Sequence, residues 1–191
     1  MSIALMSKLD AVNAMLEAVW VKPISTLEVS GVASVAMAKR VLDKASAAIQ
    51  SRGWHFNTDR NLTLSPDSEG FLQLPTNTLR VDSDTNSADV DVTQRGFRLY
   101  DRENHTFVFT KSVEVELVSL LEFEDLPQVA RQYIAVFAKR IFKDEWSHAE
   151  SPSTPTQEEL EARRSLESAE GEEGDYNMLT DSWSVARILD R

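Results

Sequence analysis

The residues that could carry chemistry in this chain are its carboxylates. The sequence has 31 aspartates and glutamates among 191 residues, three histidines and no cysteine. Two carboxylates can together hydrolyse a glycosidic bond, one as the acid and the other as the base or nucleophile. The acidic residues that could form such a pair are Asp82, Asp84, Asp89, Asp91, Asp101, Glu114, Glu116, Glu122 and Glu124. A two-carboxylate glycoside hydrolase is therefore the one enzyme class that the composition permits.

Other kinds of site find no support in the sequence. The absence of cysteine excludes disulfides, thiolate metal sites and Cys–His catalysis. His55, His105 and His148 lie in three separate segments without ligand spacing, so we expect no metal site. The sequence contains no P-loop, dinucleotide-binding glycine motif, GxSxG or HExxH. We therefore expect no enzyme activity and no cofactor.

The charge of the chain bears on its partners. The formal net charge is −11, with 20 basic residues against 31 acidic ones. Binding to nucleic acid through phosphates requires clustered lysine and arginine, so we expect no specific DNA binding. Copies of such a chain should repel one another at low salt. No apolar run approaches the roughly 20 residues that span a bilayer, so we also expect no membrane insertion.

Helical periodicity predicts two helices at the start of the chain. The first covers about 5–18, with an apolar residue at every third or fourth position. The second covers about 31–51, and Ser30 can cap its first turn. Gly53 then supplies a left-handed residue that ends the helix, so that Trp54 should pack back on it.

An alternating pattern predicts a small, mostly antiparallel β region over about 54–118. Its first strand should include residues 54–56. A hairpin should form over 97–109, with the loop at Asp101–His105. In the segment 113–117, valine and leucine alternate with glutamate, so one face of that strand should be exposed to water.

A third helix should begin near Pro127, since proline suits the first turn of a helix. Together these patterns predict an α+β fold, with a bundle of about three to four helices. The small antiparallel β region is inserted between the second and third helices. We expect two parts in the chain, a helical core with the β insertion over 1–150 and a C-terminal arm helix with a docking tail over 151–191.

The arm is predicted from a change in composition. Residues 151–156 are rich in proline, serine and threonine, and Thr154–Gln157 has the pattern of a capping box. The helix that follows, about 155–170, is polar nearly all round and has i,i+4 pairs at Glu159–Arg163 and Arg163–Glu167. Such a helix has little to bury on its own domain, so it is either a solvated helix or an arm that docks on another subunit.

Beyond an acidic spacer at Gly171–Gly174 the chain becomes apolar again. Chain termini without partners are usually polar, so this composition favours a docking segment over simple return to the core. The predicted docking residues of the arm and tail are Leu160, Arg163, Arg164, Leu166, Tyr176, Met178, Leu179, Trp183, Ile188 and Leu189.

Several segments, in order along nearly the whole chain, resemble the tail tubular protein A family, the adaptor or gatekeeper proteins of short-tailed bacteriophages. They are AVNAMLEAVWVKPISTLE (11–28), AKRVLDKASAAIQSRGWHFNTD (38–59), LYDREN (99–104), FEDLPQVARQYIAVFAKRIF (123–142), EELEARR (158–164) and YNML (176–179). The chain departs from the family at Trp20–Pro23, where members often have a small glycine-containing turn. Residues 82–91 show no clear match.

The resemblance implies a virion protein that is assembled in the host cytoplasm and located in the tail. It implies a dodecameric ring between the portal protein ring and the nozzle, tail tubular protein B, with functions in tail assembly, DNA retention and genome ejection. DNA would pass through the channel of this ring without specific binding. The alternative is the glycoside hydrolase, which would act on bacterial surface polysaccharide.

Overall fold

The computed structural model of the protein describes residues 5–28, 31–83 and 90–173. Four α-helices and five strands occur in this part of the chain. In chain order they are α1 (Lys8–Glu17), α2 (Ala33–Gln50), β1 (Thr58–Leu64), β2 (Thr78–Ser83), β3 (Val92–Arg95), β4 (Arg98–Asp101), β5 (Val113–Ser119), α3 (Gln128–Trp146) and α4 (Gln157–Glu173). All five strands lie between α2 and α3, which confirms the predicted α+β fold and its β insertion. Within the same ranges, no helix combines the length and the hydrophobicity needed to cross a bilayer.

Helix α1 begins later than the periodicity predicts, because Ser7 caps it. The Ser7 hydroxyl accepts a hydrogen bond from the Asp10 backbone N at 3.1 Å, and the Asp10 carboxylate accepts one from the Ser7 backbone N at 2.9 Å. This capping box satisfies two backbone donors at the helix start. Leu5 therefore lies before the helix and is 53% exposed, whereas Val12 and Leu16 are buried as predicted.

Helix α2 ends as the sequence predicts but begins differently. Gly53 has a φ of +76°, and the Trp54 indole N donates a hydrogen bond to the Ile49 carbonyl at 2.8 Å. The predicted cap at Ser30 is wrong, because the residue at the N-cap position is Val32, which makes no side-chain capping bond. The start of this helix therefore depends on packing of its apolar face, from Val35 onwards, and not on a cap.

The β region contains a three-stranded antiparallel sheet in the order β1-β5-β2 and a separate β3-β4 hairpin. In the central strand β5, Val115 and Leu117 are buried in the core of this region. Glu116 is turned to the opposite face, where it lies 3.7 Å from both Arg60 and Arg80. The predicted alternation of β5 is thus confirmed over these residues.

Two of the predicted β features are wrong. Residues His55–Asn57 form a short 3-10 turn and not a strand. The strand β4 pairs with β3 and not with the segment after Asp101, so the turn of the hairpin lies at Gly96 and Phe97. The predicted loop at Asp101–His105 is present, since the Asp101 carboxylate accepts hydrogen bonds from the backbone N of Glu103 (2.9 Å) and of Asn104 (2.8 Å). The pairing does not continue across it, because the Phe109 backbone N donates to the Gly70 carbonyl and the Leu99 backbone N to the Leu72 carbonyl. Of the predicted pairing, the Asp101–Thr106 bridge is present.

Two buried amides join the helical core to the β region. Gln50 exchanges hydrogen bonds with the backbone of Leu121, at 3.0 Å from its amide N and 2.8 Å to its amide O. The Asn57 amide N donates to the carbonyls of Gln50 and Ser119 at 3.0 and 2.8 Å. Both side chains are buried, so loss of either would leave backbone groups without partners.

Helix α3 follows Pro127, as predicted, and lies in the middle of the helical core. Its Arg131 is buried and donates hydrogen bonds to the carbonyls of Met6, Leu126 and Glu124. The guanidinium thus connects the segment before α1 to the loop before α3. The Gln128 side chain adds a second link, because its amide O accepts a hydrogen bond from the Met6 backbone N at 2.9 Å.

Candidate docking surfaces

Helix α4 packs on α3, although its sequence offers few apolar residues. Ala162 and Leu166 belong to the buried core of the helices, with 4% and 0% of their surface exposed. The expectation that this helix has little to bury on its own domain is therefore wrong for these two positions. They are four residues apart and so lie on one face of the helix, which is enough to form a narrow apolar contact.

A buried ion pair holds the first turn of α4 on α3. The Arg140 Nε and Nη2 atoms lie 2.7 and 3.1 Å from the two carboxylate oxygens of Glu159. The side chains are 14% and 5% exposed, so this bidentate pair is largely shielded from water. The hydrogen bond from Arg140 to Glu159 raises the pKa of the arginine above its ordinary value. The predicted pairing of Glu159 with Arg163 is replaced by this contact, whereas the predicted Arg163–Glu167 pair is present at 2.7 Å.

The segment between α3 and α4, which is rich in proline, serine and threonine, is fixed at Ser153. The Asp144 carboxylate accepts hydrogen bonds from the Ser153 backbone N at 2.9 Å and from its hydroxyl at 3.0 Å, and these lower the pKa of Asp144. The Thr156 hydroxyl accepts a hydrogen bond from the Glu159 backbone N at 3.2 Å. Thr156 therefore caps α4, and the predicted capping box at Thr154 is wrong by two residues.

The last turns of α4 are held by the residue that follows Trp54. The Glu170 carboxylate accepts hydrogen bonds from the His55 backbone N at 3.0 and 3.1 Å, and one of its oxygens lies 2.6 Å from His55 Nδ1. Gly171 lies within α4, which continues to Glu173, so the predicted spacer does not begin at Gly171. The helix is thus bound to the core near both of its ends.

The predicted docking residues that the structure describes fall into two groups, one exposed and one buried. Leu160, Arg163 and Arg164 lie on the outer side of α4 and are exposed. Leu166 faces inward and is fully buried, so it is not part of the outer surface of the subunit. The remaining predicted docking residues lie outside the described residues, and they are Tyr176, Met178, Leu179, Trp183, Ile188 and Leu189.

One exposed apolar surface was missed by the sequence analysis. Trp20 follows α1 with a positive φ of +61°, and 98% of its surface is exposed. Trp146, at the end of α3, is 42% exposed. Both line a groove of about 500 Å³, whose walls include Val19 and Val136; we call it the Trp20–Trp146 groove. The sequence feature that could have indicated this surface is the segment Trp20–Pro23, which is bulky where members of the family often have a small turn.

A second exposed aromatic residue lies at the turn of the β3-β4 hairpin. Phe97 is 53% exposed, and the arginines on either side of its turn stack on aromatic rings. The guanidinium of Arg95 lies 3.5 Å from the centre of the Tyr100 ring, and that of Arg98 lies 4.3 Å from the centre of the Phe71 ring. This turn therefore presents an apolar side chain with two positive charges beside it.

Several of the candidate catalytic carboxylates have structural partners, and Asp101 and Glu116 are the clearest examples. Hydrogen bonds from the backbone and side chain of Asn104 lower the pKa of Asp101, whereas the acid of a glycoside hydrolase requires a raised pKa. Glu116 lies between two arginines. Asp84 and Asp89 lie outside the described residues. Throughout residues 5–28, 31–83 and 90–173, no group of three or more acidic or histidine side chains is arranged to hold a metal ion.

Comparison with known proteins gives two matches. A family model described as "Tail tubular protein" matches residues 9–176. A curated protein, "Tail tubular protein A" of Klebsiella phage KP34, is 31% identical over 131 residues, which cover 68% of this chain and 68% of that protein. The family match includes both the helical core and the β insertion. The chain therefore belongs to the tail tubular protein family and is a structural component of a phage tail.

Proposed function

We propose that this chain is the adaptor subunit of a short phage tail. Copies of it would form a dodecameric ring between the portal ring and the nozzle. The nozzle would consist of tail tubular protein B. The ring would serve tail assembly, retention of the packaged DNA and genome ejection, and it would be assembled in the host cytoplasm. The strongest support for this proposal is that the family match extends over residues 9–176. Both the helical core and the β insertion are therefore similar to the family.

The arm and tail are proposed as the main joining elements of the ring. Residues 151–191 would join the subunit to the portal or to a neighbouring subunit, and residues 1–150 would supply most of the core with its β insertion, to which Ala162 and Leu166 of α4 also belong. On α4 the exposed residues Leu160, Arg163 and Arg164 would take part, because they face away from the core. Leu166 would support this surface from beneath, since it is buried. Within the tail, Tyr176 and Trp183 are the largest apolar side chains.

The wall of the channel is proposed to let DNA pass without holding it. Each chain carries a net charge of −11. A dodecamer would therefore carry on the order of a hundred excess negative charges, which repel the phosphates of DNA. Specific binding is not required of a component through which the genome has to slide.

We propose no catalytic activity for the chain. Among the candidate carboxylates, Asp101 is held by hydrogen bonds and Glu116 lies between two arginines. The hydrogen bonds to Asp101 lower its pKa, whereas acid catalysis at a glycosidic bond requires a raised one. The carboxylates of the β region therefore have a structural role in this account.

Replacing Trp183 by alanine should weaken assembly on the portal at least tenfold. A tryptophan buried at the centre of an interface often contributes 2 kcal/mol or more, which corresponds to about a 30-fold change in affinity. The measurement is the amount of protein that co-sediments with purified portal rings over a concentration series. Leu160→Ala, at a half-exposed position of α4, serves as the milder comparison.

The thermal unfolding of the Trp183→Ala chain should match that of the natural chain. If the substitution lowered the unfolding temperature by several degrees, the tail would be part of the core. If portal assembly were unchanged, the tail would not be a joining element.

A further inference from the structure

The Trp20–Trp146 groove places two exposed tryptophans beside the apolar side chains Val19 and Val136 on the surface of the subunit. A buried tryptophan removes about 150–250 Å² from water, and Trp20 leaves 98% of its surface exposed. Tryptophan is also enriched among the residues that dominate binding at protein interfaces. Most of the residues that line the groove belong to α3 or to the segment between α3 and α4.

The rim of the groove has the opposite charge to the chain as a whole. Lys139 and Lys143 both line it. Lys139 lies 2.7 Å from Glu158, while Lys143 forms no salt bridge with any residue that the structure describes. A segment that combines aromatic side chains with carboxylates would match both the walls and the rim of this groove.

We propose that the Trp20–Trp146 groove receives the tail, residues 174–191, of a second copy of this chain. The tail contains the aromatic residues Tyr176 and Trp183, and Asp175 and Asp181 lie close to them in sequence. Its aromatic residues would pack against Trp20, and its carboxylates would lie near Lys143. This inference rests on the proposed ring-forming function and names the site that the tail occupies.

The direction of α4 indicates that the tail binds the groove of a second copy and not the groove of its own subunit. Thr154 and Thr156, at the start of α4, line the groove, whereas the tail follows Glu173 at the other end of the helix. The 17 residues of α4 span about 25 Å. The ten residues up to Trp183 reach at most about 33 Å, so they would have to run back almost fully extended along α4.

The outer side of α4 opposes such a return path. Glutamates outnumber arginines among the exposed residues of this helix, so its outer side has a net negative charge; these residues include Glu158, Glu161, Glu167, Arg163 and Arg164. Asp175 and Asp181 of a returning tail would be placed beside this excess of like charge. Binding to a neighbouring subunit avoids this path. The contact is heterologous, because it joins the tail of one copy to the groove of the next, and such contacts can close into a ring.

Two full-length variants test this pairing without the portal. Trp20→Asn alters the groove and keeps the tail; asparagine is suited to the positive φ at this position. Trp183→Asn alters the tail and keeps the groove. By sedimentation velocity at high protein concentration, with salt to screen the net charge, the natural chain should self-associate and each variant alone should remain monomeric. An equal mixture should form dimers and nothing larger, since one functional tail and one functional groove remain.

The variant Phe97→Asn is the matched control, since it removes another exposed aromatic residue that lies on the β3-β4 turn. It should self-associate like the natural chain. A fluorescent peptide of residues 174–191 should also bind the Trp183→Asn chain at least tenfold more tightly than the Trp20→Asn chain. Self-association of Trp20→Asn equal to that of the natural chain, a mixture that stays monomeric, or a natural chain that is monomeric throughout would overturn the inference. This assay contains no portal, so its failure would leave the proposed adaptor function standing. The adaptor function is tested separately by binding to the portal.

Discussion

Replacing Leu166 by alanine should lower the free energy of unfolding by about 3 kcal/mol. Leu166 is fully buried in the helical core, and removal of a buried leucine side chain costs about 2–5 kcal/mol through lost burial and the cavity left behind. The measurement is urea-induced unfolding followed by circular dichroism. We expect the transition to stay cooperative, because α4 is bound to the core by Arg140, Asp144 and His55 as well.

Leu160→Ala is the matched control on the same helix, since Leu160 is 36% exposed. It should change the free energy of unfolding by less than about 0.5 kcal/mol. An unchanged stability for Leu166→Ala would contradict the packing of α4 on the core. The arm would then be detached in the isolated subunit, as its polar sequence alone suggests.

Replacing Arg140 by methionine should cost about 3–5 kcal/mol of stability. The change leaves the Glu159 carboxylate, which is 5% exposed, without its charged partner. Breaking a buried pair on one side is costly because the remaining charge is neither hydrated nor paired. The double variant Arg140→Met with Glu159→Leu should recover most of the loss, since an apolar pair of similar size can replace a buried ion pair.

Arg163→Met supplies the comparison for an exposed pair. The Arg163–Glu167 distance is also 2.7 Å, but the two side chains are 45% and 46% exposed. Loss of this surface pair should cost no more than about 0.5 kcal/mol. If Arg140→Met and Arg163→Met lowered the free energy of unfolding equally in the same assay, burial of the Arg140–Glu159 pair would have no energetic consequence. That result would contradict the expected cost of breaking a buried pair.

Features that depend on neighbouring residues could be predicted from the sequence. The end of α2 was one of them, because Gly53 and Trp54 act on the turn that directly precedes them. The order of helices and strands was another, since hydrophobic periodicity changes at Gly53 and changes back near Pro127. The alternation of β5 was visible because valine and leucine face one side and glutamate the other.

Features that depend on distant partners could not be predicted in the same way. Glu159 was expected to pair with Arg163 four residues away, but it pairs with Arg140, which only the packing of α4 on α3 brings near. The predicted partner of β4 is wrong because strand pairing is set by the whole β region, in which the Phe109 backbone N donates to the Gly70 carbonyl and β4 pairs with β3. The exposure of Trp20 was hidden because a tryptophan after an apolar helical stripe normally belongs to the core.

The predicted docking residues show the same limit. Leu166 and Leu160 are both leucines among polar residues of one helix, so the sequence does not distinguish them. Leu166 is buried, whereas Leu160 is exposed. Their difference follows from the angular position on α4 relative to Ala162, which is known only once the buried face is known. The role of Tyr176 and Trp183 stays a prediction, because these residues lie outside the described part of the chain.

The most direct test of the proposed adaptor function is to mix the purified protein with its cognate portal ring and image the product by electron microscopy. The account predicts one added dodecameric ring on the axis of the portal, with an open channel through both. It also predicts that the amount of this product falls with Trp183→Ala. A portal ring that keeps its size and shape in the presence of excess protein would contradict the proposed function.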